Sequence, residues 1–122
     1  MDLTLSNSKY EKFALDSNCY IDFKKLVCVK NNLPCALTHI DIRLLERFCA
    51  NLGRVTKYDE LLSVFYDDIT INELSVYITR LRKKIESNPR SPKHLISVKG
   101  VGYVLIATED AKSQNMSNAL NK

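Results

Sequence analysis

Apolar residues fall into distinct regimes along the chain. Over 12–37, Phe, Leu, Ile, Val, Tyr and Cys come in short runs broken by Asp16-Ser17-Asn18 and Asn31-Asn32. Runs bounded by turn formers are the pattern of strands joined by tight turns, and they predict a small antiparallel sheet. From Thr38 the period lengthens to that of a helix. Ile42, Leu45, Cys49 and Leu52 share one side, Leu44 and Phe48 lie beside them, and Gly53 stops the pattern, which predicts a first helix over 38–52. A shorter second helix is expected over 57–65, with Leu61, Leu62 and Phe65 as its apolar contacts. In a third, Ile71, Leu74, Ile78, Leu81 and Ile85 are spaced 3, 4, 3 and 4, one narrow stripe for a core. Asn88-Pro89-Arg90-Ser91-Pro92 cannot continue that helix. Leu95 to Lys99 then alternates as a strand, turns at Gly100-Val101-Gly102 and returns as Tyr103-Val104-Leu105-Ile106.

The helix starts carry their own signal. Thr38 precedes Asp41, Thr56 precedes Asp59, and Thr70 precedes Glu73, each by three residues. In a capping box the threonine oxygen accepts from a free backbone N–H of the first turn while the acid reaches back. The expected class is therefore α+β, a sheet followed by three helices and a β-hairpin. On the third helix Asn72, Val76, Thr79, Arg80 and Lys83 point away from the apolar stripe. A β-branched apolar residue among Asn, Thr, Arg and Lys is an odd choice for a face that only meets water.

Charge sharpens this. The chain has 122 residues, 45% of them apolar, and a formal charge of +4, enough for one packed domain and too short for two. Between residues 80 and 99 stand Arg80, Arg82, Lys83, Lys84, Arg90, Lys93 and Lys99 against Glu86 alone, which leaves the remainder net acidic. Localised basicity asks for an anionic partner, although a solvated helix face would read the same from charge alone.

Other chemistries find little support. No H-E-x-x-H, G-x-S-x-G or phosphate loop is present, so an enzyme is not expected and no catalytic residue or cofactor is assigned. His39 and His94 read as surface histidines rather than metal ligands, and Asp67-Asp68 as a loop. Cys19, Cys28, Cys35 and Cys49 contain no C-x-x-C, which favours reduced, partly buried thiols over zinc or thioredoxin sites, with two disulfides as the lesser alternative. There is no apolar stretch of membrane-helix length and no basic, apolar leader, so a cytoplasmic chain is expected. Residues 1–12 read as an N-terminal segment, 13–107 as the domain, and 108–122 as a flexible tail or the start of a linker.

Leu37-Thr38, Gly53-Arg54-Val55-Thr56, the run from Tyr77 to Ile85 and Val98-Lys99-Gly100-Val101-Gly102-Tyr103 together resemble the OmpR/PhoB-type winged-helix effector domain. The resemblance implies double-stranded DNA binding for transcription regulation, with the helix over 71–86 in the major groove and the wing over 96–106 on the minor groove. Carried over by position, Val76 and Arg80 face base edges and nearby phosphates, Arg82 holds a phosphate, Lys99 sits on the wing, and Asn72, Thr79, Lys83 and Lys84 complete the DNA set. The loop Phe65, Tyr66, Asp67 and Asp68 corresponds to the one that can touch RNA polymerase. This chain has Asn72-Glu73-Leu74-Ser75 where the family often has Arg-x-Val-Asp, and Lys99 where Arg is frequent. With Met1 so near the first strand, the preferred setting is the cytoplasmic part of a one-component, membrane-anchored activator resembling ToxR and CadC. Its membrane segment would lie outside this chain, and two copies would be paired on tandem DNA sites. The alternatives are the effector of a two-component response regulator and a winged helix that binds protein instead of DNA.

Overall fold

A computed structural model describes residues 11–112 and residue 115. Four strands, β1 (Lys12–Asp16), β2 (Cys19–Asp22), β3 (Val27–Lys30) and β4 (Leu33–Ala36), form an antiparallel sheet in chain order. The turn between β3 and β4 is Asn31-Asn32, with φ of 51° and 68°. Positive φ at both central residues is what a two-residue hairpin matched to strand twist requires, and Asn tolerates it.

Then come α1 (His39–Ala50), β5 (Val55–Lys57), α2 (Tyr58–Leu62), α3 (Ile71–Ile85) and the hairpin β6 (Leu95–Val98) and β7 (Gly102–Leu105). Thr38 and Thr70 both close the capping boxes expected of them. Thr56 does not. It lies in β5, fully buried, with its backbone paired to Tyr103 and its hydroxyl accepting from the Asn51 amide at 3.0 Å. Helix α2 begins at Tyr58 behind Lys57, without a side-chain cap. A third strand thus joins the hairpin, in the order β5-β7-β6. Gly102 makes this possible, because a Cβ there would overlap the Thr56 carbonyl.

Helices α1 and α2 are shorter than their periodicity predicts. The α1 helix gives way at Asn51 to a turn that feeds β5, and after α2 the chain closes two tighter turns at Val64 and Phe65. Phe48, Leu44 and Leu45 from α1, Leu74, Ile78, Leu81 and Ile85 from α3, and Ile21 and Phe23 from the N-terminal sheet region meet in one core with Leu61 and Leu95. From Leu74 to Ile85 the α3 stripe is therefore fixed inward, which turns its opposite face out, while Ile71 at the start of the helix is exposed rather than in the core as its spacing predicts.

Contacts continue past residue 107. Thr108 N–H donates to the Leu15 carbonyl at 3.0 Å, a helical turn follows, and Ala111 packs at 1% exposure against Ala14 and Ala107. The Asn115 amide both accepts from Ala14 N–H and donates to its carbonyl, each at 2.9 Å, and so occupies backbone groups of β1. The reading of a tail or linker at 113–114 and 116–122, and of an N-terminal segment at 1–10, lies outside the described residues.

Candidate nucleic-acid interface

Ile71, Asn72, Glu73, Ser75, Val76, Thr79, Arg80 and Lys83 are all exposed along α3. Val76 is 48% exposed, which leaves its methyl groups available on a polar face. The Arg80 guanidinium sits 5.8 Å from the Tyr77 ring centroid, and that ring packs on Phe65 at 4.8 Å. A cation over an aromatic face is held toward one orientation rather than swinging freely. Thr79 donates its hydroxyl to the Ser75 carbonyl at 2.9 Å, and Ser75 to that of Asn72 at 2.6 Å. Both hydroxyl protons are thus spent inside the helix, leaving oxygen lone pairs and the Thr79 methyl to face outward.

Two predicted DNA residues are engaged elsewhere. Lys84 reaches across to α1, where its ammonium meets the buried Asp41 carboxylate at 2.5 Å. Asp41 thereby serves the Thr38 cap and the α3 cation together, and Lys84 does not belong to the outer face. Arg82, expected as a phosphate contact, donates Nε to the Leu95 carbonyl at 2.9 Å and a terminal nitrogen to Ser97 Oγ at 3.0 Å. Its guanidinium also lies 5.7 Å from the Tyr103 ring centroid. A planar fork with several fixed donors suits such bracing better than lysine would.

Glu86, the lone acid of the basic stretch, is 1% exposed. Its carboxylate accepts from the backbone N–H groups of Lys93 (2.8 Å), His94 (3.0 Å) and Leu95 (2.7 Å). A carboxylate at a helix C-terminus opposes the macrodipole, and these three donors offset that. Its own carbonyl accepts from Lys30 Nζ at 2.8 Å. Periodicity does not identify such a residue; the visible signal is one acid among seven bases just after the helix.

His94 is buried, not a surface histidine. Nδ1 lies 2.8 Å from the Ile106 carbonyl and Nε2 2.9 Å from Asp16 Oδ2, tying the entry of the wing to its exit and to β1. His39 is exposed at the first position of α1. No group of three or more His, Cys, Asp or Glu side chains able to hold a metal occurs among the described residues.

Lys99 is exposed at the hairpin tip before Gly100, whose φ of 76° the turn demands. The tip is held from two sides, by Val101 N–H to the Val98 carbonyl and by Tyr58 N–H to the Val101 carbonyl, both 3.0 Å. Tyr103 packs edge-on to Tyr58 at 6.1 Å, and burial raises its phenol above the ordinary tyrosine value. In the loop ahead of α3, Phe65 is turned onto Tyr77, whereas Tyr66, Asp67 and Asp68 are exposed. Tyr66 is 93% exposed, with the Arg43 guanidinium 4.8 Å from its ring centroid.

Among the described residues no helix is long and apolar enough to cross a membrane. Comparison with known proteins gives this geometry a family. The sensory transduction protein RegX3 of Mycolicibacterium smegmatis is 34% identical over 88 residues, covering 70% of this chain and 39% of that protein. The chain therefore spans about two fifths of the length of such a relative. The crystal structure of the response regulator DrrB, an OmpR/PhoB homologue from Thermotoga maritima, superposes with a TM-score of 0.72 at 23% identity, covering 84% of this chain and 48% of that one. The Klebsiella pneumoniae RstA DNA-binding domain, solved in complex with the RstA box, gives a TM-score of 0.64 at 25% identity over 80% of this chain and 98% of that one. The family described as transcriptional regulatory protein, C terminal, matches residues 32–105, and the chain belongs to it, as a winged-helix DNA-binding domain of the OmpR/PhoB type.

Proposed function

We propose that this domain binds duplex DNA to regulate transcription, α3 entering the major groove and the β6-β7 hairpin following the minor groove. The observation that carries the reading is the division of labour around α3. Arg82, Lys84 and Glu86 are spent on internal bonds, while Val76, Arg80 and Lys83 remain exposed. Val76 suits thymine methyls, Arg80 a guanine edge or a phosphate, and Lys83 the phosphate backbone. Asn72 at the start of the helix is an amide placed to pair with an adenine edge. Lys99 reaches the backbone beside the minor groove, and as a point charge it lacks the planar fork that reads a narrow groove.

We infer further that the chain works as the effector of a response-regulator-type protein rather than in a membrane-anchored activator. Support comes from the relatives: RegX3 is named a sensory transduction protein, and DrrB a response regulator. On that reading Tyr66, Asp67 and Asp68 are the surface offered to RNA polymerase, and a second copy binds an adjacent site. Pairing raises effective concentration without new base contacts.

The direct test is a titration of the chain against a pool of random duplexes at several salt concentrations. Binding that weakens steeply as salt rises, together with a recovered sequence motif, is the expected result. Absence of duplex binding at low salt would overturn the reading and leave the domain as a protein-binding winged helix.

A further inference from the structure

The four cysteines are free thiols, and three of them form a row on the inner face of the N-terminal sheet. Cys28 on β3 stands directly opposite Cys35 on β4. Residues so paired point to the same face, with Cα atoms about 4.5 or 5.5 Å apart, and either spacing lies within the roughly 4.4–6.8 Å that a disulfide spans. On the other side of Cys28 is Cys19 on β2, with the two sulfurs 3.6 Å apart. Cys35, on the outer strand, is half-buried, whereas Cys28 and Cys19 are buried.

We propose that Cys35 and Cys28 are a peroxide-responsive pair that closes into a cross-strand disulfide, with Cys19 as the residue that positions Cys28 for it. Cys35 is half-buried where Cys19 and Cys28 are buried, and its sulfur makes a long 3.9 Å contact to the Ala36 carbonyl. Its thiolate attacks a peroxide oxygen, the O–O bond breaks, and Cys35 becomes a sulfenic acid as one oxygen leaves as hydroxide. The Cys28 thiolate then attacks the Cys35 sulfur, the S–S bond forms and a second hydroxide leaves. Two thiols have been oxidised and one peroxide reduced to two waters. The Cys19 thiol hydrogen-bonds Cys28 and holds it below the usual thiol range despite burial, while that coupling and burial raise Cys19. Cys28 is thereby the resolving nucleophile, and Cys19, whose sulfur also lies 3.5 Å from the Ile85 carbonyl, its hydrogen-bond partner. Cys49 sits apart in the core, raised by burial, and serves as an inert internal reference.

The test uses the intact chain, reduced, freed of reductant and treated with hydrogen peroxide. It is then alkylated under denaturant and digested with trypsin. Cleavage after Lys25 and Lys30 places Cys19, Cys28 and Cys35 on different peptides. The expected product is one linked pair of peptides holding Cys28 and Cys35, with Cys19 and Cys49 alkylated. A Cys35 sulfinic acid beside an alkylated Cys28, or a Cys19–Cys28 link, overturns the assignment. Cys19→Ala should slow closure about tenfold at neutral pH and shift its pH profile upward, while Cys19→Ser, which keeps a donor, restores both. Closure unchanged in rate and pH profile by Cys19→Ala would remove the positioning role.

Discussion

Arg82 Nε donates to the Leu95 carbonyl, so α3 is bonded to the first residue of the β6-β7 hairpin. Leu95 is held at both of its backbone groups: its carbonyl accepts from Arg82 Nε and its N–H donates to the Glu86 carboxylate. Spacing between α3 and the hairpin is thus set by the Arg82 and Glu86 side chains.

This separates Arg82 from Arg80 by experiment. Arg82→Ala should lower stability by about 2 kcal/mol, the usual scale for hydrogen bonds to a charged group, and weaken DNA binding through the loosened wing. Its salt slope should stay close to that of the parent, because no counterion-releasing contact is lost. A slope reduced by about one, with stability intact, would return Arg82 to the role of phosphate ligand.

Glu86→Gln should destabilise the domain by about 1–3 kcal/mol in urea unfolding. The amide keeps one accepting oxygen but turns an N–H group toward backbone donors at Lys93, His94 and Leu95. Wild-type stability in this variant would show that the wing N–H groups do not depend on a carboxylate.

The architecture was largely readable in the sequence because its signals are local. The spacing of Ile71 to Ile85, the Thr38 and Thr70 boxes and the proline break after Asn88 each fix an element from neighbours only. The misreadings share a different cause. Thr56 has the spacing of a cap, but pairing with Tyr103 claims its backbone for a sheet that closes across some 45 residues of chain. His94 and Lys84 look like surface groups until Asp16 and Asp41 arrive from distant elements. Of the expected DNA set, what survives on the outer face is the part decided by helical geometry, Asn72, Val76, Thr79, Arg80 and Lys83, together with Lys99 at a turn.

Gly102→Ala tests the unforeseen strand. A Cβ would collide with the Thr56 carbonyl, a backbone atom held by the sheet on one side and the start of α2 on the other. Overpacking of this kind costs about 1–3 kcal/mol or more, so a marked fall in Tm and loss of β5 amide protection are expected. An unchanged Tm would mean that β5 can move away freely.

Tyr103 supplies a pH signature. Its phenol is raised chiefly by burial, with nearby Tyr58 adding to the effect and Arg82 opposing it. Between the ordinary tyrosine value and the raised folded one, the unfolded chain has lost a proton that the folded chain retains. Stability therefore falls as pH rises through that window, above about 10. Tyr103→Phe should flatten this alkaline limb in a comparison of the two unfolding curves. An equal slope in both proteins would assign the limb to other groups.

The roles of helix and wing can be told apart by combining Arg80→Glu and Lys83→Glu on one hand and Lys99→Ala on the other. All three side chains are exposed, so folding should be unaffected and the changes report on DNA. Reversing Arg80 and Lys83 replaces two attractive contacts by repulsion against a dense line of phosphates, and a loss of several kcal/mol with a shallower salt slope is expected, about 3–5 kcal/mol in scale. Lys99 sits at a glycine turn, where it can approach the backbone but has no planar edge for bases. Its removal should weaken binding to all duplexes alike and leave the preferred sequence unchanged, since phosphate contacts position and base contacts specify. A selection from random duplexes run in parallel on the parent and Lys99→Ala decides this. A different motif from the variant would place base readout on the wing, and binding untouched by the double reversal would move the DNA face off α3 altogether.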